Sequence, residues 1–467
     1  MEYNIINYNQ IEKIFRFKEN EHKTNLRLIH HTGTKFKLLP YTTQNNKVES
    51  FWGITGAFSR EITAKKTGTF DKQSIFNKVL SIVSNSSKNR GLLLSVIGEI
   101  FFDEKDELII AHPQFFNYIS SDKKQSEIGR FLASIFSTQE IRNNFLNVYK
   151  NPPKNVLLKL LHDSLPKLEE ESSEKNKYVN YLWDIRFRFE NDLILLLKDE
   201  KLFIEHFQQL LQYYYFHYIT QLVLHLDNFF DETLDIFPLF YSFDWEKRMQ
   251  SRRSYTEGWK VVEPKLHKLY AHVNCLEIMN CIKHKDEFMS YKQFKNYVLT
   301  LDKNSRELLN NELNEIINEY KARVLDVPWD KFKEPSDMNK YNEPCLNSIR
   351  NLFYHIDFQF KNSVTRKKMY TNYYNGFYEF SKTSFLKKSG SLGYTLNLKQ
   401  EYIIFLTKIC IGNQDKLALN ELFNEFEYRG IYFDRDSRKE LVELYEKLNL
   451  IEKKSDSGDA QYVKYIS

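Results

Sequence analysis

The sequence predicts a mainly α-helical protein: a multi-helical body, a C-terminal winged-helix domain of three helices plus a β-hairpin, and a mixed N-terminal region. Three observations predict it. Gly and Pro number only 14 and 10 among 467 residues, less than half of ordinary usage. So few turn formers disfavour a strand-rich sandwich or propeller and leave little material for a Gly-rich nucleotide cradle. Apolar residues recur at helical spacing from Ser126 onward. At the C-terminus, three helical patterns are followed by two short alternating stretches around a polar turn.

In order along the chain, residues 1–120 form the mixed region, where Gly53, Gly56, Gly68 and Gly91 punctuate short apolar runs. Helices are expected at 72–83 and 92–102. The turn Asp103-Glu104-Lys105-Asp106 then precedes the strand-like Leu108-Ile109-Ile110. Residues 121–390 form the helical body, with helices near 127–136, 139–149, 154–162, 177–198 and 201–228. An extended stretch at 236–243 follows. Further helices are expected near 245–256, 265–283, 290–299, 304–323 and 343–361, with a Pro-containing linker at 328–335 and no internal repeat.

Residues 391–467 form the third unit. Helices are expected at 398–411, at 417–429 ended by Gly430, and at 437–448. Asp434 or Asp436 is placed to cap the last, and Ser437 with Glu440 has capping-box spacing. The hairpin then runs through Ile451-Glu452-Lys453-Lys454, turns at Ser455–Asp459, and returns through Tyr462–Ile466.

The segment 206–226 lacks Asp, Glu, Lys and Arg over a membrane-spanning length. Four glutamines and three histidines within it argue for a buried central helix of a soluble domain instead. Four cysteines without a CxxC pair suggest a reducing compartment and no disulfide partner. No secretory signal is legible, so a cytoplasmic protein is expected.

The 67 basic and 62 acidic side chains leave a net charge of +5, so only local clusters carry weight. In a winged helix the third helix lies in the DNA major groove and the hairpin touches the backbone. Arg435, Arg438 and Lys439 begin that helix, and Lys453 and Lys454 lie on the wing. Against this, residues 398–467 carry a net charge of −2, and Asp456 and Asp459 sit at the wing tip, so protein docking is the competing reading.

The preceding stretch is the strongest cationic cluster. Between Lys361 and Lys388 there are seven cationic residues against the single Glu379. Lys361, Arg366, Lys367, Lys368, Lys382, Lys387 and Lys388 interleave with Tyr370, Tyr373, Tyr374, Phe377, Tyr378 and Phe380. Cations that neutralise phosphate beside rings that stack on bases are what a nucleic-acid track requires. The loop Ser389–Gly393 allows backbone N–H groups to approach phosphate. The competing reading is an aromatic core helix with solvated lysines. Arg248, Arg252 and Arg253 form a smaller cluster on one side of a predicted helix.

Other chemistry is weakly signalled. His267, His272, Cys275, Cys281 and His284 do not converge on one helical face, so no metal site is expected. Val261-Val262-Glu263-Pro264-Lys265 is the nearest approach to a metal-nuclease pattern but lacks a second carboxylate. No GxxxxGK[ST] loop is present, and no cofactor is expected.

Two stretches of sequence carry a family likeness. The first, Tyr214–Met279, contains YYFHYITQLVLHLDNFF, PLFYSFDWEKRMQSRRSYTEGW and KLYAHVNCLEIMN. The second, Gly390–Ser467, contains GSLGYTLNL, EYIIFLTKICIG, FEYRGIYFDRDS and NLIEKKSDSGDAQYVKYI. In order and spacing they resemble the DptG (DndG) component of phosphorothioation-dependent DNA restriction systems. In such systems a non-bridging phosphate oxygen of DNA is replaced by sulfur, and a three-component arm attacks DNA lacking the mark. The resemblance implies the DptF and DptH restriction components as partners, with ATP use lying in them. It supplies no catalytic residue. The expectation is a non-catalytic, DNA-engaging adaptor of an antiphage complex; the alternatives are a metal-dependent nuclease subunit or a pure protein scaffold.

Overall fold

The computed structural model describes residues 4–15, 30, 32–44, 47–66, 71–83, 87–171, 178–232, 235–247, 249–453 and 461–466. Nineteen α-helices dominate them, with a few short strands. The first part of the chain holds α1 (Tyr8–Phe15), α2 (Trp52–Thr63), α3 (Lys72–Ile82) and α4 (Ser87–Phe101). A 3-10 turn at Pro113–Tyr118 leads into α5 (Lys123–Phe136), α6 (Gln139–Lys150) and α7 (Val156–Ser164). The predicted strand at 108–110 is reduced to one bridge between Phe102 and Leu108. Gly53 and Gly56 lie inside α2 rather than between elements. A Cβ at Gly56 would sit 2.7 Å from Ile119 Cβ, so its missing side chain lets α2 press on the chain after the 3-10 turn.

The centre is α8 (Trp183–Leu197) followed by α9 (Glu200–Asp227). α8 begins later than the expected 177, because residues 178–182 run extended beside the helices, Tyr178 bridging to Lys37. α9 is buried nearly all round, which is why its sequence mimics a membrane span. Its run of tyrosines is buried with the hydroxyls satisfied. Tyr214 donates to Asp192 at 2.6 Å, Tyr215 pairs with Tyr41 at 2.8 Å, and Tyr218 accepts from the Tyr181 N–H at 3.0 Å. Tyr213 donates to the Arg429 carbonyl. No helix among the described residues is long and apolar enough to cross a membrane.

Strand β1 (Leu239–Phe243) follows, then the short α10 (Arg253–Thr256), α11 (Trp259–Leu266), α12 (Leu269–Met279), α13 (Tyr291–Thr300), α14 (Lys303–Arg323), α15 (Pro344–Asn362) and α16 (Lys367–Ser384). The expected helix at 245–256 is replaced by turns with only α10 at its end. A tertiary demand overrides the local pattern: buried Glu246 turns back to accept the Phe243 N–H at 3.0 Å and meets Arg252 at 2.5 Å. The expected helix at 265–283 is broken between Leu266 and Leu269, and its first part begins earlier, at Trp259.

The chain ends with β2 (Leu386–Lys388), β3 (Tyr394–Leu398), α17 (Gln400–Ile411), β4 (Lys416–Ala418), α18 (Leu419–Tyr428), β5 (Ile431–Phe433), α19 (Arg435–Lys447), β6 (Ile451–Lys453) and β7 (Gln461–Lys464). One sheet has the order β2-β3-β1-β5, with β1 parallel to both β3 and β5. A second, antiparallel sheet has the order β4-β7-β6, with Ile451 opposite Val463. The predicted turn at Ser455–Asp459 lies outside the described residues. Because β1 sits between β3 and β5, the end of the chain is hydrogen-bonded into the helical body. A buried ion pair adds to this tie: Arg429 grips Asp192 of α8 at 2.7 and 3.0 Å.

Candidate nucleic-acid interface

The basic and aromatic stretch 361–388 is built on α16. Its buried side, including Tyr370, Tyr373, Gly376, Phe377 and Ser381, packs on α12 and α15. Eighteen residues at 1.5 Å rise put the two ends of α16 about 25 Å apart, so the expected track divides. Lys361, Arg366, Lys367 and Lys368 lie at one end; Lys387 and Lys388 lie just past the other.

At the first end, Lys367 and Lys368 are exposed. Lys361 is half-exposed and donates to Asp357 at 2.6 Å. Arg366 does not belong to an interface. Its side chain is buried, Nε donates to Gln359 at 2.8 Å, and the guanidinium is paired with Asp326. This arginine fastens the start of α16 to the segment after α14. Tyr373 is likewise withdrawn from base stacking, because its ring is buried against Tyr270 at 4.5 Å and Tyr41 at 5.8 Å. Tyr374 is part-exposed and stacks on His267 at 4.6 Å.

At the second end, Lys387 Nζ donates to the Asp244 carbonyl at 2.7 Å, whereas Lys388 is exposed. Lys388 adjoins the hairpin tip, where Gly390 and Gly393 both have positive φ and open space around them. Between the ends, Lys382 is paired with Glu379 at 2.6 Å, which removes one of the cations counted in the sequence.

The second predicted group lies at the start of α19. Asp434 is the N-cap, accepting the Ser437 N–H at 3.0 Å. Ser437 is therefore at N3, not the cap, and its hydroxyl is buried against Glu246 and Arg252. Arg435 and Lys439 are exposed. Arg438 lies over Phe423 at 4.6 Å and is paired with Glu427. On the strand side, Lys453 is exposed but paired with Glu446 at 2.9 Å, and Lys454 lies outside the described residues.

The predicted arginine cluster also separates. Arg252 is buried, reaching Asp434 at 2.5 Å and Glu246 at 2.5 Å. Burial opposes its charge and these carboxylates outweigh that, raising its pKa. Arg253 is exposed, paired with Glu257 at 2.7 Å, and lies 3.8 Å over the ring of Phe240. Arg248 lies outside the described residues.

A surface that sequence reasoning passed over lies on α8. Trp183 and Phe187 are 57% and 60% exposed, with Arg186 lying 5.3 Å from the Trp183 ring. The next arginine, Arg188, lies 4.6 Å over exposed Tyr428 at the end of α18. The signal was present as Trp183-Asp184-Ile185-Arg186-Phe187-Arg188-Phe189, in which the buried helical stripe takes Ile185 and Phe189 and leaves Trp183 and Phe187 outside.

The other chemistry-bearing residues serve packing. His272 stacks on Phe353 at 4.2 Å and bonds Tyr291 at 3.0 Å. Cys275, Cys281, Cys345 and Cys410 are buried free thiols. Glu263 sits on a helix rather than a strand, accepts from Tyr378 at 2.8 Å, and its neighbour Lys265 is paired with Asp227. No group of three or more metal-ligating side chains converges among the described residues. No protein-family model and no curated protein matches this chain.

Proposed function

We propose that this chain is a non-catalytic, DNA-engaging adaptor subunit of an antiphage restriction complex that acts on DNA lacking phosphorothioate, in the manner of DptG, with DptF and DptH as its partners. In this reading residues 391–467 are its winged helix. The observation that carries it is the order α17, β4, α18, β5, α19, β6, β7, in which β4, β7 and β6 form the antiparallel sheet while β5 pairs with β1, with Arg435 and Lys439 exposed at the start of the third helix. Exposed cations there are suited to the phosphates flanking a major groove. The sequence likeness over Tyr214–Met279 and Gly390–Ser467 supplies the pathway and the partners.

One observation favours a second reading, a protein-docking scaffold. Arg438 and Lys453 are neutralised by Glu427 and Glu446, and Lys416 by Glu452, so the candidate wing offers little free positive charge. Titration of duplex DNA across a salt series separates the two. Each phosphate contact adds about −0.9 to the slope of log K against log salt, so Arg435→Ala with Lys439→Ala should flatten it by roughly 1.8 units. Absence of salt-dependent duplex binding by the full chain favours the scaffold, and metal-dependent nicking that disappears in Glu263→Ala favours the nuclease.

A further inference from the structure

Exposed rings on a folded protein are ordinarily scattered; here they come with guanidinium groups. Trp183 and Phe187 stand one turn apart on α8, a spacing of about 6 Å, and each is more than half exposed. At 100° per residue, Arg186 and Arg188 flank this ridge on opposite sides. Arg186 lies over Trp183 and Arg188 over Tyr428. Two residues past the end of α18, Gly430 turns the chain into β5, where the ring of Tyr432 lies 5.7 Å from that of Phe240, itself covered by Arg253. β5 leads directly to Arg435 at the start of α19. Three guanidinium–ring pairs thus extend from α8 to the candidate duplex-binding helix.

We propose that this surface binds single-stranded nucleic acid, Trp183 and Phe187 stacking on unpaired bases while Arg186 and Arg188 supply positive charge to the backbone. Rings projecting from a convex helix reach base faces only where the bases are unstacked, so the occupant is a single strand rather than a duplex. Protein–protein interfaces are also rich in aromatic residues and arginine, so a protein occupant is the outcome that the test has to separate from a nucleic-acid strand. Among the described residues neither Arg186 nor Arg188 forms an ion pair; Arg186 is the one open to phosphate, whereas Nε and Nη1 of Arg188 are buried, so Arg188 adds positive charge without a full fork of free donors. The inference rests on the nucleic-acid reading above and adds a preference for unpaired strand beside the duplex.

The test uses the full chain with a labelled oligothymidylate of about 20 nucleotides and a duplex of equal length. Trp183→Ala and Phe187→Ala should each weaken oligothymidylate binding by about 5- to 150-fold, leaving the salt slope and duplex affinity unchanged. Trp183→Phe should retain most of the affinity. Arg186→Gln should instead flatten the single-strand slope by about 0.7 units. Since both rings are exposed, the thermal midpoint of each variant should match the parent. Duplex binding without oligothymidylate binding overturns this inference alone, and loss of both in the parent chain overturns the adaptor reading as well. Unaltered oligothymidylate affinity in a double variant that no longer assembles with its partner subunits identifies a protein interface and also overturns it.

Discussion

Gly430 lies against the imidazole of His217, so closely that a Cβ on Gly430 would fall 2.2 Å from His217 Cε1. The contact joins the turn between α18 and β5 to the middle of α9. His217 stacks on Tyr213 at 5.6 Å, the two rings nearly parallel, and among the described residues neither of its nitrogens has a hydrogen-bond partner. Burial, with the nearby Arg188 charge, pushes its pKa down to about 3. The ring is a neutral packing element, and the glycine leaves it room.

Gly430→Ala should therefore be among the most damaging single changes near the candidate interface. It combines a left-handed backbone, φ +82°, with a clash against a ring that has nowhere to move, for a loss of roughly 2–5 kcal/mol. Gly390→Ala isolates the backbone part, because Gly390 has φ +54° and nothing within 4 Å; its cost should be about 1 kcal/mol. Urea denaturation measures both. Equal losses in the two variants would show that the His217 contact contributes nothing.

Helical identity was legible wherever periodicity and caps agreed, as at α6, α9, α14 and α15, whose ends fall within two residues of those expected. The misreadings share a cause. Strand β1 and the turns after it are shaped by residues distant in sequence: Glu246 and Arg252 meet Ser437 and Asp434 across the sheet. The cap of α19 was legible, since Asp434 was one of the two aspartates placed to cap it, but its second partnership with the buried Arg252 was not. The candidate site was legible as charge but not as accessibility. Arg366 and Lys367 are adjacent and equally cationic in sequence, yet one is buried on Asp326 and the other is exposed. Which residue of such a pair turns inward depends on a carboxylate 40 positions away.

Glu277 of α12 makes the stability of the fold depend on pH. It is buried, accepts the Gly33 N–H at 2.5 Å, and burial raises its pKa to about 7 despite the opposing backbone N–H groups of Gly33, Lys35 and Thr34. The native state holds this proton more tightly than the unfolded chain does. Its contribution is therefore fully present below about pH 4.5 and is lost as pH rises through about 7, a loss of roughly 3 kcal/mol. Glu277→Gln should flatten the stability profile between pH 5 and pH 8 by most of that amount. Parallel profiles for the parent and the variant would refute it.

Arg366 should separate in experiment from the two lysines that follow it. Its buried guanidinium holds Asp326 and Gln359, so Arg366→Ala leaves a carboxylate and an amide without their partner. Because Asp326 is itself partly exposed, the loss should be about 2 kcal/mol, below that of a fully buried pair. It should appear as a lower thermal midpoint, with the salt slope of DNA binding unchanged. Lys367 and Lys368 have no such duty. If they contact phosphate, replacing both by Ala should leave the midpoint unchanged and flatten the duplex slope by roughly 1.8 units. A well-folded double variant with the parent slope would remove this end of α16 from the DNA path, leaving Arg435 and Lys439 of α19 as the cations to hold the duplex.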